Sequence, residues 1–394
     1  MAHDPVVIVS AARTPMGGFQ GELKSFTAPE LGAAAIRAAV ERARIEPGQV
    51  QEVVMGCVLP AGQGQAPARQ ASLGGGLPLA AGCTTINKMC GSGMKAAMLA
   101  HDLLLAGTND IMVAGGMESM TNAPYLMPKA RAGYRMGHQQ VLDHMFFDGL
   151  EDAYDKGRLM GTFAEDCAGK YAFTRAAQDS FAIASLQRAQ KANREGWFAW
   201  EITPLALKAG KDEKFVENDE QPFKANLEKI PTLKPAFRKD GTVTAANSSS
   251  ISDGAAAMVL MRRSSAEKLG LAPLAVLVGH ATHAQEPALF TTAPVGAMRK
   301  LFEKTGWGAR DVDLYEVNEA FAVVAMAAMK EHGLPHEKVN VHGGACALGH
   351  PIGASGARIM VTLIGALRKY GGKRGVASLC IGGGEATAVA LELV

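Results

Sequence analysis

The sequence predicts an α/β protein made of two duplicated βαβ-type halves around an inserted, loop-rich segment. Three observations predict it. Strand-like and helix-like stretches alternate near both ends of the chain, which argues for a mostly parallel sheet covered by helices. That rhythm stops between about 120 and 250, where most of the tyrosines, two of the three tryptophans, many charges and irregular loops collect. The ends also echo each other. Asn87-Lys88-Met89-Cys90-Gly91-Ser92-Gly93 leads through a small-residue helix to Asp110-Ile111-Met112-Val113-Ala114-Gly115-Gly116. Gly349-His350-Pro351-Ile352-Gly353 leads through an apolar helix to Gly375-Val376-Ala377-Ser378-Leu379-Cys380-Ile381-Gly382-Gly383.

In order, the pattern predicts a buried strand over 6–10 and an amphipathic helix over 28–44 with Pro29 near its start. A strand over 52–58, a helix over 91–105 and a strand over 110–114 that stops at Gly115-Gly116 follow. Within 120–250 one clear helix is expected near 176–194, and the segment reads as inserted binding surface. The first rhythm returns from 272: strand 274–278, helix 294–304, strand 313–317, helix 320–332, an apolar helix through 359–367, and strands 375–380 and 387–393. The expected division is therefore 1–119, completed by about 245–270; the insertion 120–250; and 271–394.

A chain of 394 residues exceeds one ordinary core, and 48% apolar with 20% charged residues is a globular composition. A net charge of +2 without long charged blocks points neither to nucleic acid nor to a membrane surface. No apolar segment approaches the ~20 residues of a spanning helix. The start runs directly into Val6-Val7-Ile8-Val9 with no charged and apolar leader, so the expected location is cytoplasmic. Six scattered cysteines without a Cys-x-x-Cys pair are expected to be reduced.

Four residues could carry chemistry. Cys90 precedes Gly91-Ser92-Gly93 at the mouth of a helix, where a thiol is expected to ionise more easily and small neighbours leave room for an acyl group. His350 lies between glycine clusters just before a helix start, with Pro351 pre-set for a first helical turn. Cys380 precedes Ile381-Gly382-Gly383-Gly384 at a strand end, where α/β proteins place ligands. Asn318, after strand 313–317, could hold a water or a carbonyl oxygen, or simply cap the next helix. Each also has a bland reading, as a core cysteine, a turn histidine or a cap.

Taken together these motifs resemble the thiolases, and within them the acetoacetyl-CoA thiolases (acetyl-CoA acetyltransferases), over nearly the whole chain. The match begins at Val9-Ser10-Ala11-Ala12-Arg13-Thr14-Pro15. It continues through the Cys90 motif, Gly241-Thr242-Val243-Thr244-Ala245-Ala246-Asn247, Asn318-Glu319-Ala320-Phe321, Gly349-His350-Pro351-Ile352-Gly353-Ala354-Ser355-Gly356 and Cys380-Ile381-Gly382-Gly383-Gly384. The resemblance implies the thiolase fold, two duplicated halves in α-β-α-β-α layers with an inserted loop domain. It implies reversible Claisen condensation of two acetyl-CoA to acetoacetyl-CoA and CoA, with coenzyme A as substrate and product and no further cofactor or metal. Cys90 would be the nucleophile, His350 the acceptor of its proton, and Cys380 the second acid–base, its thiol expected to titrate near neutrality. Two oxyanion sites are implied: His350 with a water on Asn318, and the backbone N–H groups of Cys90 and Gly382.

For binding, the resemblance implies Ser249 at the pantetheine arm, Phe237 at the adenine, and Leu150, Met160, Ala320 and Phe321 along the tunnel. It also implies a homotetramer, with the loop from Gly133 through Gly149 helping subunits meet. The family's usual arginine near 220 is absent, and Lys224 is expected to meet the phosphates instead. Further departures are Leu159 in place of a histidine before Met160-Gly161, Phe290 in the acyl pocket, His342 and Cys346 in the glycine-rich stretch, and Glu385 after Gly384. Phe290 should keep the pocket short. The competing expectations are a degradative thiolase of wider chain-length range, a non-catalytic CoA-binding relative, and a metal protein using Cys90, Cys346, His350 and Cys380. The wide ligand spacing speaks against the last of these.

Overall fold

A computed structural model describes residues 4–209 and 212–394. The chain opens with β1 (Val6–Arg13), β2 (Gly17–Gly18), α1 (Ala28–Ala43), β3 (Glu52–Gly56), α2 (Pro67–Gly74), β4 (Gly82–Ile86), α3 (Ser92–Leu105) and β5 (Ile111–Ser119). The insertion holds the pair β6 (Tyr125–Leu126) and β7 (Leu142–Asp143), then α4 (Met160–Tyr171), α5 (Arg175–Arg194), the hairpin β8 (Leu205–Ala209) and β9 (Asp212–Val216), and α6 (Gln221–Lys224). The rest is β10 (Ser252–Arg262), α7 (Arg263–Lys268), β11 (Ala275–Ala284), α8 (Ala293–Thr305), β12 (Leu314–Val317), α9 (Ala322–His332), α10 (Ala345–Leu348), α11 (Ser355–Tyr370), β13 (Arg374–Ile381) and β14 (Glu385–Leu393). Local chemistry sets these boundaries: α1 starts at a capping box between Thr27 and Glu30 with Pro29 in its first turn, and α11 ends at Gly371 at φ +68°.

The main sheet runs β12-β13-β14-β11-β1-β10-β5-β3-β4, with β2 on β10. Its two halves have the same wiring. In the first, β1 and β5 flank β10 antiparallel and β3 joins β5 in parallel; in the second, β11 and β13 flank β14 antiparallel and β12 joins β13 in parallel. A lone parallel bridge from Tyr315 to Val339 stands where β4 pairs in the first half. Among the described residues, the pairs Val7–Val276 and Ile8–Ala275 join the two halves of the sheet edge to edge. The main-sheet strands other than β2 and β4 turn Val6, Ile8, Met112, Met258, Leu379, Leu391 and their like toward α3 and α11, forming one core. Their opposite faces pack under α1 in the first half and under α8 and α9 in the second. The result is five layers with α3 and α11 in the middle.

Those central helices meet at their N-terminal ends because both carry glycine there. A Cβ on Gly93 would lie 2.8 Å from Ala357 N, and one on Gly356 2.4 Å from Met94 N. Gly116 serves the same purpose, since its Cβ would lie 2.1 Å from Gly353 O. One sequence expectation is corrected here, and one strand appears that the pattern did not predict. Strand β5 does not stop at Gly115-Gly116 but runs on to Ser119, because those glycines permit close approach by Ala256 and Gly353 rather than a turn. Strand β10, Ser-Asp-Gly-Ala-Ala-Ala-Met-Val-Leu-Met-Arg, is paired on both sides although its alanines carry weak strand preference. The insertion is also more ordered than its irregular sequence suggests, with α4 and the β8–β9 hairpin beside the expected α5. It is locked to β1 by Arg13, whose guanidinium reaches both Asp219 oxygens at 2.6 and 2.9 Å and Glu201 beside them. Among the described residues no helix is long and apolar enough to cross a membrane, and all six cysteines are unpaired.

Candidate active site

After β4 the chain makes a tight turn into α3. Ser92 Oγ accepts from Lys88 N–H at 2.8 Å and donates to Met89 O at 2.7 Å, while Asn87 Oδ1 accepts from Met89 N–H at 2.9 Å. These bonds hold Met89 at φ +47°, a conformation that side-chain-bearing residues seldom adopt. The next residue is Cys90. The backbone N–H groups of Cys90 itself and of Gly382 point at its sulfur, yet burial outweighs them and pushes the thiol up to about 11. The expectation of an easily ionised Cys90 is thereby corrected. Helix α3 begins only at Ser92, and loss of water around the sulfur costs the thiolate more than two amide hydrogen bonds return.

His350 leaves the short α10 through Gly349, whose φ of +103° lets Ser252 pack against it. The ring Nδ1 lies 2.6 Å from Ser355 Oγ, which in turn donates to Pro351 O at 2.9 Å. Nδ1 must therefore carry the ring proton, and Nε2, buried and without a protein partner, is left as a bare base. Burial, aided by the positive charge of Arg358, pushes its pKa down to about 3, so the ring is neutral. Glu118 fastens this loop to the first half: its Oε2 accepts from Gly353 N–H and Val58 N–H, each at 2.9 Å, and its Oε1 from Leu59 N–H at 3.1 Å.

Cys380 closes β13. Burial, reinforced by the neighbouring Cys90 sulfur, holds its thiol well above the usual range, so the expected near-neutral titration is also corrected. Asn318 is 1% exposed, and neither its Oδ1 nor its Nδ2 has a protein partner. A buried amide in that state requires ordered water or a ligand group.

Cys90, His350, Cys380 and Gly382 line one apolar pocket of about 60 Å3, together with Leu150, Met160, Ser249, Phe290, Ala320 and Phe321. Phe290 lines this pocket and meets Phe163 edge to face with ring centres 6.1 Å apart. Leu150, Met160, Ser249 and Phe321 also line an apolar channel of about 440 Å3 that continues past Phe237. Lys224 lies farther out in a separate cleft with Lys229 and Gln221, its ammonium paired with Glu220. Asn318 is the one expected catalytic residue absent from the pocket lining; it sits two residues before Ala320.

Two models of the thiolase family cover the chain, its N-terminal domain at residues 6–264 and its C-terminal domain at 271–393. The chain belongs to the thiolase family. It is 52% identical to acetyl-CoA acetyltransferase 2 of Arabidopsis thaliana over 99% of this chain and 97% of that one. It is 48% identical to the acetyl-CoA acetyltransferase of Schizosaccharomyces pombe over 100% of both chains. The Chromobacterium violaceum acetyl-CoA acetyltransferase is likewise 48% identical, over 98% of this chain and 99% of that one.

In this thiolase the residues that depart from the family pattern have distinct settings. Glu385, at the start of β14, pairs with Lys88, tying the glycine turn after Cys380 to the Cys90 turn. Leu159 lines the outer channel. Cys346 is held among Glu319 contacts, and the His342 ring packs tilted against Trp197 and Tyr370 and edge-on against Phe198. Two residues that sequence reasoning missed are Ser355 and Glu118. The first was signalled by its place five residues after His350 at a helix start. The second had no signal, because its partners lie 60 and 235 positions away.

Proposed function

We propose that this thiolase is an acetyl-CoA C-acetyltransferase, joining two acetyl-CoA reversibly into acetoacetyl-CoA and CoA through an acetyl thioester on Cys90. One observation carries the reading: two thiols and a neutral imidazole, drawn from opposite halves of the fold, line a single small apolar pocket at the end of a channel. The names of its relatives support the same chemistry.

In this reading the Cys90 proton passes to His350 Nε2 as the sulfur attacks the thioester carbon. The tetrahedral adduct expels the CoA thiolate, which takes the proton of Cys380. Acetyl-Cys90, a His350 imidazolium and a Cys380 thiolate remain. A thiol disfavoured as an anion in the resting pocket is then stabilised by the adjacent imidazolium, and a high resting pKa makes it a strong base for the next step. The Cys380 thiolate removes a proton from the methyl group of the second acetyl-CoA, and the resulting carbanion attacks acetyl-Cys90. Collapse expels the Cys90 thiolate, which recovers its proton from His350. Every group returns to its starting state.

Two oxyanions form along this path. The Cys90 and Gly382 N–H groups, already aimed at the Cys90 sulfur, suit the adduct on Cys90. A water held by the unsatisfied Asn318 amide, with protonated His350, suits the thioester oxygen of the bound acyl-CoA. Ser249 and Phe237 along the channel suit the pantetheine arm and adenine, and Lys224 and Lys229 the phosphates. Coenzyme A enters only as substrate and product.

The test is turnover of acetyl-CoA and acetoacetyl-CoA by the purified chain, with mass spectrometry of acetyl-Cys90 and the Cys90→Ser variant as control. A stable acetyl adduct on that variant removes Cys90 as nucleophile. Comparison of kcat/KM for acetoacetyl-CoA and a medium-chain 3-ketoacyl-CoA decides the substrate, and preference for the longer one replaces this reading with a degradative thiolase.

We further infer that 120–250 serves CoA binding and subunit contact between halves formed by 1–119, completed by 245–270, and 271–394. Its exposed Tyr125, Met127, Met136 and Val141 support burial between subunits of a homotetramer, which light scattering tests. A cytoplasmic place in acyl-CoA metabolism agrees with six unpaired cysteines, and cell fractionation tests it.

A further inference from the structure

Helix α3 begins beside the pocket, and about 15 Å further along its axis it carries a second group of reactive side chains. His101 and Asp102 stand on its last turns, and His280 projects from β11 of the other half. Asp102 Oδ1 lies 3.0 Å from His101 Nδ1 and 2.8 Å from His280 Nε2, and one candidate ligand atom from each of the three lies within 4.8 Å of the others. The rings meet edge to face at 5.0 Å between centres. Both imidazoles are only 10% exposed, whereas Asp102 is 54% exposed and opens onto a groove bordered by Gly279, Lys304 and Val394.

We propose that His101, Asp102 and His280 form a binding site for a divalent transition-metal cation of the zinc type, which clamps the two halves of the fold together at the far end of α3 from the catalytic pocket. Two imidazole nitrogens and one carboxylate oxygen are a donor set that zinc accepts, with its remaining position left to water from the groove. Ligand atoms about 2.0–2.1 Å from a tetrahedral zinc stand ~3.3 Å apart, so the two pairs that involve Asp102, at 3.0 and 2.8 Å, need only a small opening.

The proton balance is simple. In the metal-free state Asp102 Oδ1 accepts from both ring N–H groups. On binding, each ring would turn the lone pair of its facing nitrogen to the cation, the proton of that nitrogen passing to the other ring nitrogen or to water. All three ligands sit on a helix and a strand, which fixes them better than loops would.

The experiment is calorimetric titration of ZnCl2 into the full chain, untreated and with Cys90 blocked by iodoacetamide, alongside Asp102→Asn and His280→Gln. Visible absorption on adding CoCl2 reports the ligand geometry. The expected result is one Zn2+ per chain in both preparations and at least a tenfold weaker Kd in each variant. Zinc should raise Tm in the unsubstituted chain but in neither variant, with the metal-free kcat of both variants, Cys90 left unblocked, equal to that of the unsubstituted chain. Binding that disappears when Cys90 is blocked, binding indifferent to both substitutions, or no binding below about 1 mM each overturns the proposal. Asp102 is exposed, so its variant decides the matter if His280→Gln does not fold.

Discussion

His350 Nδ1 lies 2.6 Å from Ser355 Oγ, whose own proton is directed to Pro351 O at 2.9 Å, so the serine can only accept from the ring. This relationship fixes the tautomer and leaves Nε2 bare toward the pocket. Removing the hydroxyl by Ser355→Ala should lower kcat about 10- to 100-fold, the usual scale for a group that orients another, with little change in KM. Ser355→Thr, which keeps the hydroxyl, should recover much of it. Equal Tm with unchanged kcat in the alanine variant would show that the ring holds its tautomer unaided.

Cys90 rests as a thiol held up to about 11, and His350 as a neutral ring held down to about 3. The signs are opposite and concordant: the proposed base, His350, is unprotonated at every pH above about 3, and the proposed nucleophile, Cys90, is protonated at every pH below about 11. Alkylation of the free enzyme by iodoacetamide should therefore accelerate about tenfold per pH unit through pH 8 and 9. A rate that levels off by pH 8 would mean a thiolate far more stable than the buried sulfur indicates.

Cys380→Ser should still accept acetyl from acetyl-CoA at Cys90 yet lose about 10²–10⁴-fold in condensation, the range for a removed acid–base group. Rapid-quench mass spectrometry separates the two steps. Near-normal condensation would exclude Cys380 as the base.

Asn318 has both amide ends unsatisfied in a buried site. Asn318→Ala should cost about 10²-fold in kcat, as loss of one oxyanion donor does, with KM for acetyl-CoA little affected. A change confined to KM would move Asn318 from the reacting atoms to the binding channel.

Gly93 brings α3 against α11, its missing Cβ 2.8 Å from Ala357 N. Backbone cannot yield as a flexible side chain does. Gly93→Ala should destabilise by about 1–3 kcal/mol and lower activity beyond the stability loss, because Cys90 and His350 hang from the ends of these helices. Thermal melts and kcat at a temperature well below Tm check it.

The sequence by itself determined the alternation of strands and helices and the duplication, and it pointed to four candidate residues, because each lies in a local motif: a glycine turn after a strand or before a helix. It could not disclose β10 as a central strand, since alanines say little of their partners until β1 and β5 flank them. Nor could it disclose that Gly115 and Gly116 continue a strand, because their purpose is the close approach of Ala256 and Gly353. The ionisation states of Cys90 and Cys380 are hidden from the sequence for the same reason. A helix mouth is visible in sequence, but the desolvation that outweighs it comes from side chains brought in by the other half and by the insertion. Only the tertiary structure, by crossing α3 and α11 at their glycines, decided that two thiols and one imidazole share a pocket, and it alone brought His280 to His101 and Asp102.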